Sequence, residues 1–256
     1  MKNLLTVFAL FLVLSSTYSQ EKKEFYQLKK YSLKTEKQEK IVDEYLEKAY
    51  LPALHRLGIN DIGVFKPIET IADTVRSIYV LIPYSSLDKF SISEKELSKD
   101  KTYQKDGKTY LNAAHDNAPY QRIESTLMEA FDNMPIHKVP SHTNKRSERV
   151  YELRSYESST ETLGDNKIHM FNDGGEISLF TKLNFNAVFY AKVISGAKMP
   201  NLMYITSFTD MESREAHWKA FSASPEWGKL KVMKKYLNNM SGLDSYLLYP
   251  TEYSDY

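Results

Sequence analysis

One short pattern occurs twice in this sequence, once in each half. Residues 26–31 (YQLKKY) return as residues 151–156 (YELRSY), about 125 positions later. A second pair follows in the same order, with residues 100–103 (DKTY) matched by residues 224–227 (SPEW). Repeats in solenoid proteins have periods of roughly 20–50 residues, so a period this long indicates duplication of a whole small domain.

The hydrophobic periodicity predicts the same order of elements in both halves. The first half is predicted to contain a strand at 24–33, a helix at 36–57, strands at 59–65 and 75–82, a helix at 87–97 and a strand at 122–131. The second half is predicted to contain a strand at 150–157, a helix at 165–182, strands at 185–194 and 201–208, helices at 211–221 and 226–237, and a strand at 243–249.

The order β-α-β-β-α-β is that of ferredoxin-like domains. Such a sheet carries helices on one face only, and a second copy can cover the other face. We therefore expect an α+β protein in which two tandem ferredoxin-like repeats pack sheet to sheet as a barrel within one chain. The expected boundaries are 21–134 and 150–256 for the repeats and 135–149 for a linker.

The first twenty residues have the features of a secretory signal peptide. Lys2 gives a positive start, residues 4–14 are apolar, and residues 15–19 are mostly small. The apolar run is too short for a transmembrane span, although a retained anchor is the alternative. We expect a secreted or periplasmic protein without a stable membrane anchor. The chain contains no cysteine, so burial and not disulfides must stabilise it outside the cell.

The charge balance argues against nucleic acid as a partner. Thirty-four Lys and Arg face 33 Asp and Glu, giving a formal net charge of +1. A nucleic-acid-binding domain shows a marked basic excess, and this chain has none. Lysine clusters at 34–40 and 229–235 are interpreted as solvated helix faces.

Residues 204–221 (YITSFTDMESREAHWKAF), 225–227 (PEW) and 151–156 together resemble the NIPSNAP family. The resemblance covers the second half, and the first half is similar to a degenerate copy. It implies the dimeric α+β barrel fold and no particular reaction, because the family has no agreed catalytic activity. Barrel relatives include cofactor-free monooxygenases and haem enzymes, which is an analogy of fold alone.

Six residues of the second half are candidates for a pocket: Arg154, His169, Glu176, Tyr204, His217 and Trp218. Arg154 shares a strand face with Glu152 and Tyr156; facing inward it could hold an anion, and facing outward it would be an ordinary cross-strand partner.

The histidines and Glu176 allow alternative interpretations. His217 could act as a general base or haem ligand, or could simply bond to a backbone group beneath its helix. Glu176 follows the glycine pair 174–175, so it could face a cavity or restart a helix. His169 is isolated. His137 and His142 are too few for a zinc site, so neither metal nor cofactor is expected.

Two functions remain open from the sequence. The first is a non-catalytic protein that binds a small molecule or a protein partner, which the 19 tyrosines and the lack of a catalytic constellation favour. The alternative is a monooxygenase- or isomerase-like enzyme with a pocket between sheet and helices. The two repeats are expected to pair within one monomer, because linked copies have a high effective concentration for each other; a homodimer is the alternative.

Overall fold

The computed structural model describes residues 23–68 and 76–256, and the predicted signal peptide lies outside them. The strands are β1 (Phe25–Leu33), β2 (Gly63–Pro67), β3 (Arg76–Tyr84), β4 (Arg122–Ala130), β5 (Val150–Glu157), β6 (Asn186–Ser195), β7 (Asn201–Phe208) and β8 (Gly242–Pro250). The α-helices are α1 (Glu36–Tyr45), α2 (Leu51–Arg56), α3 (Leu87–Leu97), α4 (Lys101–Asp106), α5 (Lys108–Leu111), α6 (Glu161–Asn172), α7 (Glu176–Lys182), α8 (Met211–Ala223) and α9 (Pro225–Leu230).

The eight strands form one closed antiparallel barrel in the order β1-β3-β2-β8-β5-β7-β6-β4. Strands of the first half (β1–β4) are contiguous in this order, as are those of the second half (β5–β8). The halves join at two seams, where Phe65 of β2 lies opposite Pro250 of β8 and Ala130 of β4 lies opposite Ala191 of β6. The expectation of a mixed α/β protein built on a barrel is confirmed.

Side chains fill the barrel interior. Because residues alternate between the two faces of a strand, Tyr151 and Leu153 of β5 point inward, where they meet Tyr26 and Leu28 of β1 in one buried cluster. The ring of Tyr256, near the C-terminus, also belongs to this cluster. The barrel interior is therefore a hydrophobic core.

The helices cover the outer faces of the barrel and bury a second hydrophobic layer in each half. In the first half, Val42 and Leu54 pack against outward residues of β1 and β3. In the second half, Phe171, Phe180 and Phe221 pack against outward residues of β5, β6 and β7. Sites between sheet and helices are thus separated from the barrel interior by the sheet itself.

Three helix predictions need correction or refinement. The helix predicted at 36–57 passes through a π-helical turn, Leu46–Tyr50, ahead of Pro52, and ends at Arg56, two residues before Gly58 with its φ of 74°. The helix predicted at 165–182 is two helices, because Gly175 adopts a left-handed conformation. The helix predicted at 226–237 is wrong beyond Leu230, where a 3₁₀ turn, Lys234–Tyr236, follows. Within the described ranges, no helix has the length and apolar character needed to cross a membrane.

Candidate functional site

The carboxylate of Glu152 is the centre of a polar network between β5 and α8. Glu152 is fully buried on the outer face of the barrel. Its oxygens accept hydrogen bonds from Arg154 Nε at 2.7 Å and from Arg214 Nε and a terminal nitrogen at 2.8 and 2.9 Å. Trp218 Nε1 at 2.6 Å and Ser245 Oγ at 2.9 Å complete the set of donors. The carboxylate is therefore held by five hydrogen bonds.

Helix α8 brings two of these donors to one face. The side chain of Asp210 caps the helix by accepting from the backbone N–H of Ser213 at 2.7 Å. Arg214 and Trp218 are then four residues apart on the same side of the helix. Burial alone would raise the pKa of Glu152, but the hydrogen bonds and charges of Arg214 and Arg154 outweigh it and hold that pKa below its usual range.

Arg154 lies on the outer face of β5, so it does not reach the barrel interior. Its guanidinium lies 3.9 Å from the ring centroid of Trp218 and donates to the hydroxyl of Tyr156 at 2.9 Å. That hydroxyl lies 2.7 Å from the hydroxyl of Tyr204. The Arg154 guanidinium therefore already has partners in Glu152, the Trp218 ring and the hydroxyl of Tyr156. This arrangement matches the expectation for an outward-facing arginine more closely than the expectation for an anion-binding site.

Glu176 both starts a helix and forms a buried ion pair. It is the first residue of α7, directly after the left-handed Gly175. Its carboxylate lies 3.0 Å from Nζ of Lys167, and both side chains are nearly inaccessible. Lys167 Nζ also lies 4.9 Å from the ring centroid of Phe171. Burial raises the pKa of Glu176, an effect that Lys167 partly opposes.

The two candidate histidines lie in different places. His217 Nδ1 lies 2.6 Å from the backbone oxygen of Ser213, and its ring packs edge-on against Phe185. This geometry is that of a histidine bonded to its own helix. His169 is partly exposed, and its ring bonds to the hydroxyl of Tyr236 at 2.9 Å. Thus Arg154, Tyr204 and Trp218 are joined through direct contacts, Glu176 and His217 border that group, and His169 lies apart.

His137 and His142 do not share a site. His137 Nδ1 lies 2.7 Å from a carboxylate oxygen of Glu24, and His142 Nε2 lies 3.0 Å from the hydroxyl of Ser207. In the described part of the chain, no group of three or more His, Cys, Asp or Glu is arranged to hold a metal ion. Sequence reasoning missed Glu24 because it is far from His137 along the chain.

A cleft of about 400 Å³ opens between the predicted linker and the second half. Its wall on the linker side runs from Asn133 to Ser141, and its opposite wall comes from α7 and the start of β6. Its walls are mixed: the apolar part comes from Met134, Val139, Pro140, Ile177, Phe185 and Ala187, and the polar part from Asn133, Lys138, Ser141, Thr181, Asn184 and Asn186.

Tyr190 of β6 also lines this cleft. Its hydroxyl is buried and has no hydrogen-bond partner among the described residues. Burial raises the pKa of Tyr190, so the hydroxyl stays protonated at neutral pH and can donate. The sequence did not predict this cleft, because its two walls come from segments that become neighbours only when the barrel closes. The position of the linker between the two halves was the one feature of the sequence that pointed to a site here.

Comparison with known proteins identifies the second half of the chain most clearly. Residues 151–255 match the model of the NIPSNAP family. No curated protein matches the sequence significantly. An uncharacterized NIPSNAP-like domain protein from Burkholderia xenovorans is 19% identical, over 42% of this chain and 89% of its own, with a TM-score of 0.37.

Two solved structures resemble the whole chain in fold. A candidate monooxygenase from Fusobacterium nucleatum has a TM-score of 0.59 at 9% identity, covering 90% of this chain and 93% of that one. Another candidate monooxygenase, from Lactobacillus acidophilus, has a TM-score of 0.56 at 8% identity, covering 89% and 94%. Identities this low indicate a shared fold and carry no activity across.

Proposed function

We propose that the protein is a non-catalytic binding protein that holds a small molecule in the cleft beside its linker. Residues 151–255 match the NIPSNAP family model, as the sequence resemblance predicted. The observation that carries this proposal is the cleft itself, whose walls place apolar side chains such as Val139 and Phe185 next to polar side chains such as Lys138 and Asn184. A concave site that combines both kinds of group is suited to a small molecule.

The lining of the cleft defines the class of ligand. Small-molecule sites have volumes of roughly 300–1,000 Å³ and combine apolar walls with a few polar groups. Here Met134, Val139 and Phe185 supply apolar wall, while Asn184 and Lys138 add polar groups. The ligand we propose is a compact amphipathic molecule whose polar atoms meet Lys138 and Asn184 and whose apolar part lies along the linker.

The enzymatic alternative receives less support from the geometry. A catalytic acid, base or cation must be able to reach a substrate. Arg154 and Glu152 are committed to each other, and Glu176 is paired with Lys167. A monooxygenase- or isomerase-like activity would rest on likeness of fold to the Fusobacterium and Lactobacillus proteins alone.

The proposal also covers the tandem-repeat architecture, the oligomeric state and the cellular location of the protein. Each half contributes its strands to the barrel in the order fourth, first, third, second, which supports two tandem ferredoxin-like repeats. Both seams of the barrel close within one chain, which supports a monomer with an internal pseudo-dimer. The signal-like residues 1–20 support export to the periplasm or beyond.

Native mass spectrometry of the protein purified from its host's export fraction tests the proposal directly. We expect an extra mass that disappears on denaturation. Ser141→Trp places an indole at the cleft wall and should abolish that mass. Ser147→Trp introduces the same group at an exposed position of the same linker outside the lining, and should keep it. A bare wild-type chain, or loss of the mass in both variants, would contradict the proposal.

A pair of variants separates binding from stability. Lys138→Ala removes an exposed side chain that lines the cleft, so we expect weaker ligand retention and an unchanged free energy of unfolding. Tyr204→Phe removes a hydroxyl bonded to Tyr156, so we expect a loss of about 1 kcal/mol and unchanged ligand retention. Equal ligand retention in Lys138→Ala and the wild type would refute the role given to the polar wall of the cleft.

A further inference from the structure

The segment that joins α9 to β8 exposes several large apolar side chains. Val232, Met233, Leu237 and Met240 are 64%, 51%, 49% and 45% exposed. Single exposed apolar residues are ordinary on protein surfaces, whereas a cluster indicates an interaction site. We call residues 229–240 the lysine ridge, because lysines alternate with these apolar residues along it.

The lysine ridge is held in place by its inward-facing residues. Tyr236 is buried in a cluster with Met170 and Leu230. Asn239 is also buried, and its backbone oxygen accepts from Ser158 Oγ at 2.7 Å. With Tyr236 and Asn239 turned inward, the four exposed apolar side chains of the same segment face solvent.

The turn between β6 and β7 lies beside the lysine ridge and exposes one more large apolar side chain. The backbone N–H of Ser158 donates to the oxygen of Pro200 at 2.9 Å, while its hydroxyl donates to Asn239. Because one residue contacts both segments, Met199 and Met240 lie at the same corner of the molecule. Met199 is 50% exposed.

The charge of the lysine ridge has one sign. Residues 229–240 contain four lysines and no acidic residue. Among the described residues, no carboxylate lies within ion-pair distance of Lys229, Lys231 or Lys234, and Lys235 contacts His169 at 3.0 Å. Nearby carboxylates have other partners, with Glu226 bound to Lys182 and Asp244 bound to Lys198.

We propose that the lysine ridge docks the protein onto an anionic phospholipid surface. Lysines are attracted to acidic headgroups, and aliphatic side chains insert at the boundary between headgroups and acyl chains. The alternation of both kinds of residue on one fixed segment matches both requirements. The exposed side chains of the ridge are aliphatic and not aromatic, which disfavours single-stranded nucleic acid. Docking of this kind is peripheral, reversible and sensitive to salt.

Vesicle co-sedimentation of the signal-free chain tests this docking. We expect binding to vesicles of phosphatidylcholine with phosphatidylglycerol, weaker binding at high salt, and little binding to phosphatidylcholine alone. Lys231→Gln with Lys234→Gln should lower apparent affinity roughly tenfold or more, since each lysine near an anionic surface contributes substantially. Val232→Ser with Leu237→Ser should also reduce binding. All four positions are exposed, so thermal melts should match the wild type.

Matched variants in the first half control for nonspecific effects of charge and hydrophobicity. Lys105→Gln with Lys108→Gln removes two exposed lysines elsewhere, and Leu87→Ser with Ile92→Ser removes two exposed apolar residues. Both controls should bind vesicles as the wild type does. Equal binding to neutral and anionic vesicles, or equal losses in control and ridge variants, would overturn the proposal. Absence of vesicle binding with retention on immobilised polyglutamate would overturn it and reassign the ridge to an acidic protein partner.

Discussion

The helix-covered faces of the two halves share a framework and differ in charge. In the first half, Lys29 of β1 lies opposite Val80 and Ser125 on the neighbouring strands. In the second half, Arg154 of β5 lies opposite Tyr204 and Ser245 on the corresponding strands. By the same register, Gln27 corresponds to Glu152. The two halves can therefore be compared position by position.

The central side chain is neutral in one half and ionised in the other. Gln27 donates to Ser125 Oγ at 2.8 Å and accepts from the hydroxyl of Tyr84 at 3.2 Å. Glu152 keeps the equivalent serine, Ser245, and adds two arginines and a tryptophan. Where the first half has the amide of Gln27, the second half has the carboxylate of Glu152 with a full set of hydrogen-bond donors, two of which are arginines. Such donors are required because a buried charge is costly unless it is paired and hydrogen-bonded.

The cations of the two halves also have different partners. Lys29 Nζ contacts the Tyr50 hydroxyl at 2.7 Å and Glu94 at 3.1 Å. Arg154 stacks on Trp218. Glu94 and Trp218 occupy the same distance along α3 and α8 from their respective N-caps. The half that matches the NIPSNAP model therefore has a cation–aromatic contact where the other half has an ion pair with an exposed carboxylate.

The largest expected difference between the halves comes from removing the central side chain. Glu152→Ala leaves Arg154 and Arg214, which are 17% and 19% exposed, without their carboxylate. We expect a loss of about 3–5 kcal/mol in the free energy of unfolding. Gln27→Ala breaks neutral hydrogen bonds and should cost about 1–3 kcal/mol. Urea denaturation of both variants measures the difference, and equal losses would show that charge does not distinguish the two faces.

A smaller difference is expected at the helix positions that contact the two cations. Trp218→Phe removes the Nε1 donor to Glu152 and weakens the stacking with Arg154, so we expect a loss of about 2 kcal/mol. Glu94→Gln disrupts an ion pair whose carboxylate is 69% exposed, so we expect less than about 1 kcal/mol. Thermal melts with matched denaturant curves would measure both losses in the free energy of unfolding. A larger loss in Glu94→Gln than in Trp218→Phe would contradict the prediction.

The sequence predicted the framework of this molecule better than its contacts. Alternating residues in 150–157 and the repeat at 26–31 were enough to predict strands, and their duplication was enough to predict a barrel. Helix 226–237 was overpredicted because its lysines fit a helical face, although Tyr236 is instead buried through a 3₁₀ turn. Local patterns determine elements, and tertiary packing decides where marginal helices end.

The candidate site was only partly predictable for the same physical reason. Arg154 and Trp218 were identified, but their link through Glu152 joins residues of β5 and α8 that are distant in the chain. Whether Arg154 faced inward could not be read from alternation, because both faces of this sheet are buried. Lys167 was missed as the partner of Glu176, since a buried lysine looks like any other helix lysine in a sequence.

The smallest expected effect is a difference in pH dependence between two carboxyls of the second half. The pKa of Glu152 is lowered in the folded protein, so its contribution to stability is present above the unfolded pKa and is lost as pH falls through the folded value. The pKa of Glu176 is raised by burial, so its ionisation opposes folding as pH rises above the unfolded value of about 4.3. The two carboxyls therefore change stability in opposite directions.

Denaturation of Glu152→Gln and Glu176→Gln across acidic pH measures these signs. The destabilisation caused by Glu152→Gln should shrink as pH falls below about 4.3, whereas the effect of Glu176→Gln should become more favourable as pH rises above it. Each difference is limited to about 1.4 kcal/mol per pH unit, because one proton is involved. Gln27→Leu, which removes no ionisable group, should leave the pH profile unchanged in slope. If the effects of Glu152→Gln and Glu176→Gln on the free energy of unfolding changed with pH in the same direction, the Glu176–Lys167 pair would behave like the Glu152 network. The predicted contrast between these two charged sites would then be wrong.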